Sequence, residues 1–154
     1  LGVMLSSVTI EANRLLENVH GGRYKLFRTL DTTGSTRKAG LELEVFDSLS
    51  GERRSVVSLS GGEKFLVALS LSIGLSAVVQ AQSGGIRLDA MFIDEGFGSL
   101  DSSSIGDSLM ILSHMKKTNG LVGIISHVAT LKENIDAKIE VFKAKDGSSL
   151  KIRV

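Results

Sequence analysis

Four short motifs in this sequence contain residue types that could handle a phosphate group. The first is Ser60-Gly61-Gly62-Glu63, which stands where a long apolar segment begins. Two glycines let a ligand approach the backbone closely, and the free N–H groups at the start of a helix attract an anion. Ser60 and Glu63 also fit the S-x-x-E capping box, which starts a helix without any ligand, and taken alone this spacing favours capping.

The second motif is a pair of carboxylates, Asp94 and Glu95, directly after the apolar run at residues 90–93. Side chains at the carboxyl end of a parallel strand face the crevice where open α/β sheets bind ligands. There Asp94 could hold Mg²⁺, and Glu95 could orient and deprotonate an attacking water. The alternative is an acidic turn after a buried strand.

The remaining two motifs are the turn that ends in Asp101 and the Ser126-His127 pair. Asp101 stands before a helical segment, so it could simply be the N-cap. His127 follows the apolar run at residues 121–125 and would lie at the same edge as Glu95 if the two strands are neighbours. A histidine at that edge could donate to a phosphate oxygen, whereas a histidine elsewhere is more often a surface or capping residue.

The hydrophobic pattern predicts the elements that position these motifs. An apolar stripe at helical spacing opens the chain and stops at Gly21-Gly22, and alternation around Tyr24 and in GLELEVFDSL predicts an antiparallel ribbon of two or three strands. From residue 61 the order is helix, strand, helix and strand, with a hairpin turning at Asp146-Gly147. All-apolar strands in this order predict an α/β fold with a parallel sheet covered on both faces.

Composition and charge narrow the class of protein. The 154 residues carry a formal net charge of +1, which gives no overall electrostatic attraction to nucleic acid or to an anionic membrane. No cysteine is present, which excludes disulfides and thiolate metal sites and fits a reducing compartment such as the cytoplasm. We also expect no bilayer-spanning run of about 20 apolar residues and no signal peptide.

The order of the four motifs, more than any one of them, resembles an ABC-type ATPase. The segments SLSGGEKFLVALSLSIGLS, GGIRLDAMFIDEGFGSLD and VGIISHV further resemble the SbcC type of ATPase, the large subunit of a nuclease that processes DNA double-strand ends. In that SMC-like family the head is assembled from the two chain ends, which a long coiled coil joins, and two heads sandwich ATP. The resemblance implies DNA repair and recombination, and it makes residues 1–20 the end of the returning coiled-coil arm and 21–154 the C-terminal lobe.

The resemblance also implies roles for the motif residues. Ser60, Gly61, Gly62 and Glu63, hereafter the signature loop, would contact nucleotide held by the opposite head. Asp94 of the Walker B motif would support Mg²⁺, and Glu95 would be the general base. Asp101, in the D-loop, would cross the dimer interface, and His127, in the H-loop, would sense the γ-phosphate.

One part of the ATPase machinery is absent from the sequence. No G-x-x-x-x-G-K-[ST] motif is present, and GSTRKAG at residues 34–40 has the wrong order for a phosphate loop. In the family that loop belongs to the N-terminal half of the head, so the chain alone is expected neither to bind ATP tightly nor to hydrolyse it. The missing strands would leave a sheet edge unpaired, which predicts self-association or poor solubility.

The remaining partners follow from the resemblance: a second head, a nuclease subunit of SbcD type, and double-stranded DNA ends, with no membrane. Small basic groups that could meet phosphates, although scattered cations usually only solvate a surface, are Arg23, Lys25, Arg28, Arg53, Arg54, Lys116 and Lys117. Two alternatives stay open: the ATPase head of a transporter or another SMC-like complex, and a non-catalytic scaffold or DNA-binding module of the same fold. Glu63 and Gly96, where transporter domains usually carry glutamine and proline, favour the DNA-repair branch, and the retained Glu95 argues against the scaffold.

Overall fold

The computed structural model describes residues 2–29, 42–82, 90–117 and 120–154, without the side chains of 116 and 117. The predicted order of helices and strands is confirmed there, and a short helix, α4, is added. The segment at 34–40 and the side chains of Lys116 and Lys117 lie outside the described part. The elements are α1 Gly2–Leu16, β1 Tyr24–Arg28, β2 Leu43–Asp47, β3 Glu52–Ser55, α2 Gly61–Gln82, β4 Ala90–Asp94, α3 Ser102–Lys117, β5 Leu121–Ile125, α4 Ala129–Asn134, β6 Lys138–Ala144 and β7 Gly147–Arg153.

Strands β1, β2 and β3 form the predicted antiparallel ribbon, hereafter the ribbon. Leu26 and Val45 lie opposite each other and are buried against Ala12, Leu16 and other apolar residues of α1 and α2. Two details differ from the prediction. The third strand is Glu52–Ser55 rather than the following valines, which form a 3₁₀ turn, and the exposed Leu49 lies beyond the end of β2.

Helix α2 is the central element, packed between α1 and α3. Gly74 lets α1 approach closely, since a Cβ there would lie 2.8 Å from the Val8 carbonyl oxygen. Because neighbours cover α2 on two sides, its apolar residues are not confined to one stripe. The expectation of no span-length apolar segment was therefore wrong: these 22 residues are long and apolar enough to cross a bilayer by length and composition alone, but their packing here is that of a core helix.

Strands β4 and β5 pair in parallel, with Asp94 opposite Ile125. One face packs on the helices through Ile93, Val122 and Ile124, which surround the core built on α2 and α3. The other face is open, and Phe92 is 70% exposed, with its ring close to Gly123. The prediction of a sheet covered on both faces is wrong for the described residues, because nothing among them reaches that second face.

The terminal hairpin of β6 and β7 turns at the predicted position. Ile139 pairs with Ile152, and Val141 pairs with Leu150, so the four aliphatic side chains share one face of the hairpin. All four are exposed, whereas on the opposite face Glu140 binds Lys132 of α4 at 2.7 Å and Arg153 at 2.7 Å. The hairpin thus has a polar face held by ion pairs and an apolar face open to solvent.

Candidate functional site

The carboxyl ends of β4 and β5 form one rim, and Glu95 and His127 meet there. The Glu95 N–H donates to the Ile125 carbonyl at 3.1 Å, which extends the pairing of the strands by one residue. The Nδ1 atom of His127 lies 3.5 Å from a carboxylate oxygen of Glu95. The side chains of His127 and Glu95 are largely exposed, at 75% and 64%, so the pair is open to a ligand from solvent. The structure brings together the two residues that the sequence placed at a common edge.

The backbone at Glu95 has a left-handed conformation, with φ of 58°. Few residues other than glycine adopt this region, and its cost persists only where the surroundings enforce it. Here the turn sends the chain from the end of β4 into the following glycine-flanked Phe97. The conformation places the Glu95 carboxylate beside His127 instead of letting the strand continue.

Asp94 is also exposed, at the last position of β4. Among the described residues, no group of three or more histidine, aspartate or glutamate side chains is placed to hold a metal ion. Mg²⁺ commonly uses one or two protein carboxylates together with water and substrate phosphates, and an exposed oxygen ligand at this rim suits that arrangement. Asp94 therefore fits one carboxylate ligand of an ion that a bound nucleotide would help to hold.

The signature loop forms a complete capping box. The Ser60 N–H donates to one Glu63 carboxylate oxygen at 2.8 Å, and the Glu63 N–H donates to the Ser60 hydroxyl oxygen at 3.3 Å. Ser60 and Gly61 are nevertheless exposed, while Glu63 is turned toward the protein. The capping role is therefore observed, and it leaves the serine and the first glycine accessible.

Asp101 caps helix α3. Its Oδ1 atom accepts from the Ser104 N–H at 2.8 Å and from the Ser103 hydroxyl at 2.7 Å. The Ser104 backbone bond, followed by the Ser103 hydroxyl, lowers the pKa of Asp101 below its ordinary value. The side chain is exposed, so its capping bonds fix the turn before α3 at the protein surface.

Phe97 ties the rim to the helix that follows the signature loop. It is fully buried, and its ring meets Phe65 of α2 edge-on with centroids 4.9 Å apart. A Cβ at Gly96 would lie 2.0 Å from that Phe65 ring, so a larger residue there would displace it. On the neighbouring turn, a Cβ at Gly62 would lie 3.1 Å from the Ser104 hydroxyl. These contacts fix the signature loop and the turn before α3 relative to each other.

The motif search missed a charged cluster at the end of the ribbon. Asp47 is almost fully buried and accepts two hydrogen bonds from Arg23, at 2.8 and 2.6 Å, and one from Arg54 at 3.2 Å. The bond from Arg23 outweighs the opposing effect of burial, and with the Leu49 N–H it holds the pKa of Asp47 well below its usual range. The one signal in the sequence was an aspartate at an inward position of β2, where alternation called for an apolar residue.

The depressed pKa of Asp47 predicts acid sensitivity. Its contribution to folding is complete above the ordinary pKa of about 3.9 and is lost as pH falls toward the lower folded value. Protonation weakens charge-assisted bonds, so we expect about 1.5 to 3 kcal/mol of unfolding free energy to be lost between about pH 5 and pH 2. Urea unfolding of the chain at several pH values measures this loss.

An Asp47→Asn variant is expected to be less stable than the wild type at pH 7 and to approach it at about pH 2, since both then carry a neutral side chain. The exposed Asp146→Asn variant serves as the matched control and should follow the wild-type curve. Parallel curves for wild type and Asp47→Asn over the whole range would contradict the prediction.

Comparisons with known proteins agree with the sequence resemblance. A family model described as SbcC/RAD50-like, Walker B motif, matches residues 32–114. The SbcC component of the nuclease SbcCD from Vibrio cholerae serotype O1 is 47% identical over 152 residues, which is 99% of this chain and 15% of that relative. The chain therefore spans about a seventh of the length of that relative.

Solved structures show the fold. A structure from work on ATP-driven dimerization and DNA-stimulated activation of SMC ATPases has a TM-score of 0.76 at 16% identity and covers 99% of this chain and 86% of that one. The Smc head domain of Pyrococcus furiosus, with an extended coiled coil and bound to the C-terminal domain of ScpA, has a TM-score of 0.69 at 17% identity. It covers 96% of this chain and 34% of that one.

The predicted fold, a lobe of an ABC-type ATPase head with a parallel sheet flanked by helices and a small antiparallel ribbon, is confirmed by these neighbours. The matched segment contains the signature loop, the carboxylate pair and Asp101. With a family model covering more than half of its length, the chain belongs to the SbcC/RAD50-like Walker B family.

Proposed function

We propose that this chain is the C-terminal lobe of an ATP-hydrolysing head and acts within a longer protein of the SbcC type. The observation that carries the proposal is the rim where Glu95 and His127 lie 3.5 Å apart, close to the exposed Asp94. A carboxylate and an imidazole that share a solvent-facing edge are the groups needed to activate a water and to contact the phosphate that it attacks.

Each residue at the rim has a proposed role. Glu95 accepts a proton from the attacking water, and His127 donates a hydrogen bond to the γ-phosphate while its other ring nitrogen faces Glu95. Asp94 contributes one carboxylate ligand to Mg²⁺, which when bound neutralises charge on the phosphates. The open positions of Glu95 and His127 leave room for nucleotide between them and the N-terminal half of the head.

The signature loop and Asp101 are proposed to serve a second copy of the head. Ser60 and Gly61 are exposed, and the free N–H groups at the start of the 22-residue helix α2 favour an anion. Asp101 lies on the neighbouring turn, fixed by its bonds to Ser103 and Ser104. The two turns together present one surface, on which nucleotide held by the partner head would join two copies. Glu63 supports this surface from behind rather than by contact with nucleotide.

The N-terminal half of the same head is the proposed cover for the open apolar surfaces. One surface is the second face of β4 and β5, with Phe92, Leu121 and Ile125 exposed. The other is the aliphatic face of the terminal hairpin. Apolar surface of this extent is uncommon on a free monomer and is typical of a surface that another segment buries. Helix α1, which packs on α2, would be the foot of the coiled-coil arm.

The partners of the whole protein are proposed from its relatives. The relative in Vibrio cholerae is named as part of the SbcCD nuclease, which supports a nuclease partner and a cytoplasmic role in processing DNA ends. The outward side of the ribbon supports a local contact with DNA phosphates, since the Arg53 guanidinium lies 4.1 Å from the Phe27 ring centre and Lys25 lies nearby. Cations held near an aromatic ring on an exposed sheet suit a polyanion.

The proposal predicts that the purified chain has no ATP turnover and that mixing it with the segment that carries the phosphate loop produces turnover. The physical reason is that nothing in this sequence can cradle the α- and β-phosphates. A coupled phosphate-release assay measures the rate, and light scattering follows the expected loss of self-association on mixing. Turnover by the chain alone would contradict the division of labour, and no turnover in the mixture of two folded segments would contradict the proposed function.

A further inference from the structure

The carboxylate of Glu63 is shared between the signature loop and the ribbon. One oxygen accepts the Ser60 N–H at 2.8 Å, and the other accepts the hydroxyl of Tyr24, the single tyrosine of the chain. A capping box needs only the first of these bonds. The second bond connects the start of α2 to the first residue of β1, which lies 39 positions earlier in the chain.

Tyr24 is itself held firmly in place. Its side chain is buried, and the Arg23 guanidinium lies 4.7 Å from the centre of its ring. The same guanidinium makes the two bonds to buried Asp47, and one of its nitrogens lies 3.9 Å from Glu63. Asp47 thus fixes Arg23, and Arg23 and Tyr24 together fix Glu63.

The electrostatics keep this carboxylate charged. Burial raises the pKa of Glu63, but the bonds from Tyr24 and Ser60, together with the nearby Arg23, outweigh burial and leave its pKa below the ordinary value. For Tyr24, burial and then the bond to Glu63 raise the pKa, so the phenol stays protonated and remains a donor. A charged acceptor makes the stronger kind of hydrogen bond, which restricts the orientation of Glu63.

We propose that Tyr24 is a positioning residue for the signature loop: its hydroxyl orients Glu63, and Glu63 in turn holds the Ser60 backbone where a nucleotide on the opposite head can reach it. This inference rests on the proposed function. Without the hydroxyl, the Glu63 carboxylate can rotate and share its bond with Ser60 among several orientations. The loop must then lose that freedom when nucleotide binds, which weakens binding without altering Glu95 or His127.

The test is Tyr24→Phe in the full-length protein, because phenylalanine keeps the buried ring and removes only the hydroxyl. We expect the ATP concentration at half-maximal turnover, and that for head dimerisation, to rise about tenfold, the effect of losing one hydrogen bond to a charged group. Turnover at saturating ATP should change less than about twofold, since the rim is untouched. Hydrogen exchange at the Ser60 and Glu63 amides should become faster in the nucleotide-free protein.

Asn13→Ala is the matched control on the same strand. Asn13 makes two hydrogen bonds to the Leu26 backbone, at 2.9 and 2.7 Å, and anchors β1 to α1 without touching Glu63. It should lower thermal stability at least as much as Tyr24→Phe but leave half-saturation unchanged. An equal shift of half-saturation in both variants would assign the effect to general loosening of the ribbon and would overturn the inference.

A double-mutant cycle with Glu63→Gln tests whether Tyr24 acts through Glu63. The two changes should be clearly less than additive in half-saturation, and full additivity would overturn the inference. Glu95→Gln measured beside them separates the two levels of the argument. If Glu95→Gln abolishes turnover while Tyr24→Phe changes neither half-saturation nor amide exchange, only the positioning role fails. If Glu95→Gln has no effect, the proposed function itself fails.

Discussion

Replacing Glu95 with glutamine is expected to lower ATP turnover of the assembled head by about a hundredfold or more. A positioned general base contributes about 10² to 10⁴ to a rate, and the amide cannot take up a proton. Glutamine matches the size of glutamate and can keep a contact with His127, which lies 3.5 Å from the present carboxylate. Nucleotide binding and ATP-dependent dimerisation should therefore persist while hydrolysis is lost. Steady-state phosphate release and nucleotide binding, measured on the same preparation, separate the two effects.

Glu133→Gln provides the control for this change. Glu133 is an exposed carboxylate on helix α4, away from the ends of β4 and β5, so the same chemical substitution should leave turnover within about twofold. If Glu95→Gln retained wild-type turnover, Glu95 would not be the base, and a non-catalytic scaffold with this fold would become the better description. If nucleotide binding were lost together with turnover, the variant would have altered the site and not only the proton transfer.

Replacing Phe97 with alanine is expected to cost about 3 to 5 kcal/mol of unfolding free energy, the range for a fully buried aromatic side chain. Phe97 is completely inaccessible and packs against Phe65 within the larger core cluster. Its loss would leave a cavity between α2 and the turn that leads to Asp101. Urea unfolding of the chain, followed by circular dichroism, measures the cost.

Phe92→Ala is the matched control, because it deletes the same side chain five residues earlier, where it is 70% exposed. In the chain alone we expect a change within about 0.5 kcal/mol. Similar costs for the two variants would contradict the assignment of Phe97 to the core. A much larger cost of Phe92→Ala in the assembled head than in the chain alone would support the proposal that the N-terminal half covers this face of the sheet.

Local patterns determined much of this protein. The bounds of α2, α3 and β5 could be predicted from hydrophobic periodicity and from glycine and serine at the helix starts, because these signals act within a few residues. The order of the motifs identified the family before any coordinates. The same local reasoning failed at Asp47 and Leu49, since alternation cannot show that a buried position holds a paired carboxylate or that a strand ends one turn early.

The tertiary structure alone decided which residues meet. Only the parallel pairing of β4 and β5 brings Glu95 to His127, which stands 32 positions later, and only the packing of the ribbon on α2 brings Tyr24 to Glu63. Such contacts depend on strand register and on side-chain packing between distant segments, and neither has a local signature. The sequence therefore determined the chemical groups and their order, whereas folding determined their distances, because a hydrogen bond depends on atoms within about 3 Å of each other and not on separation along the chain.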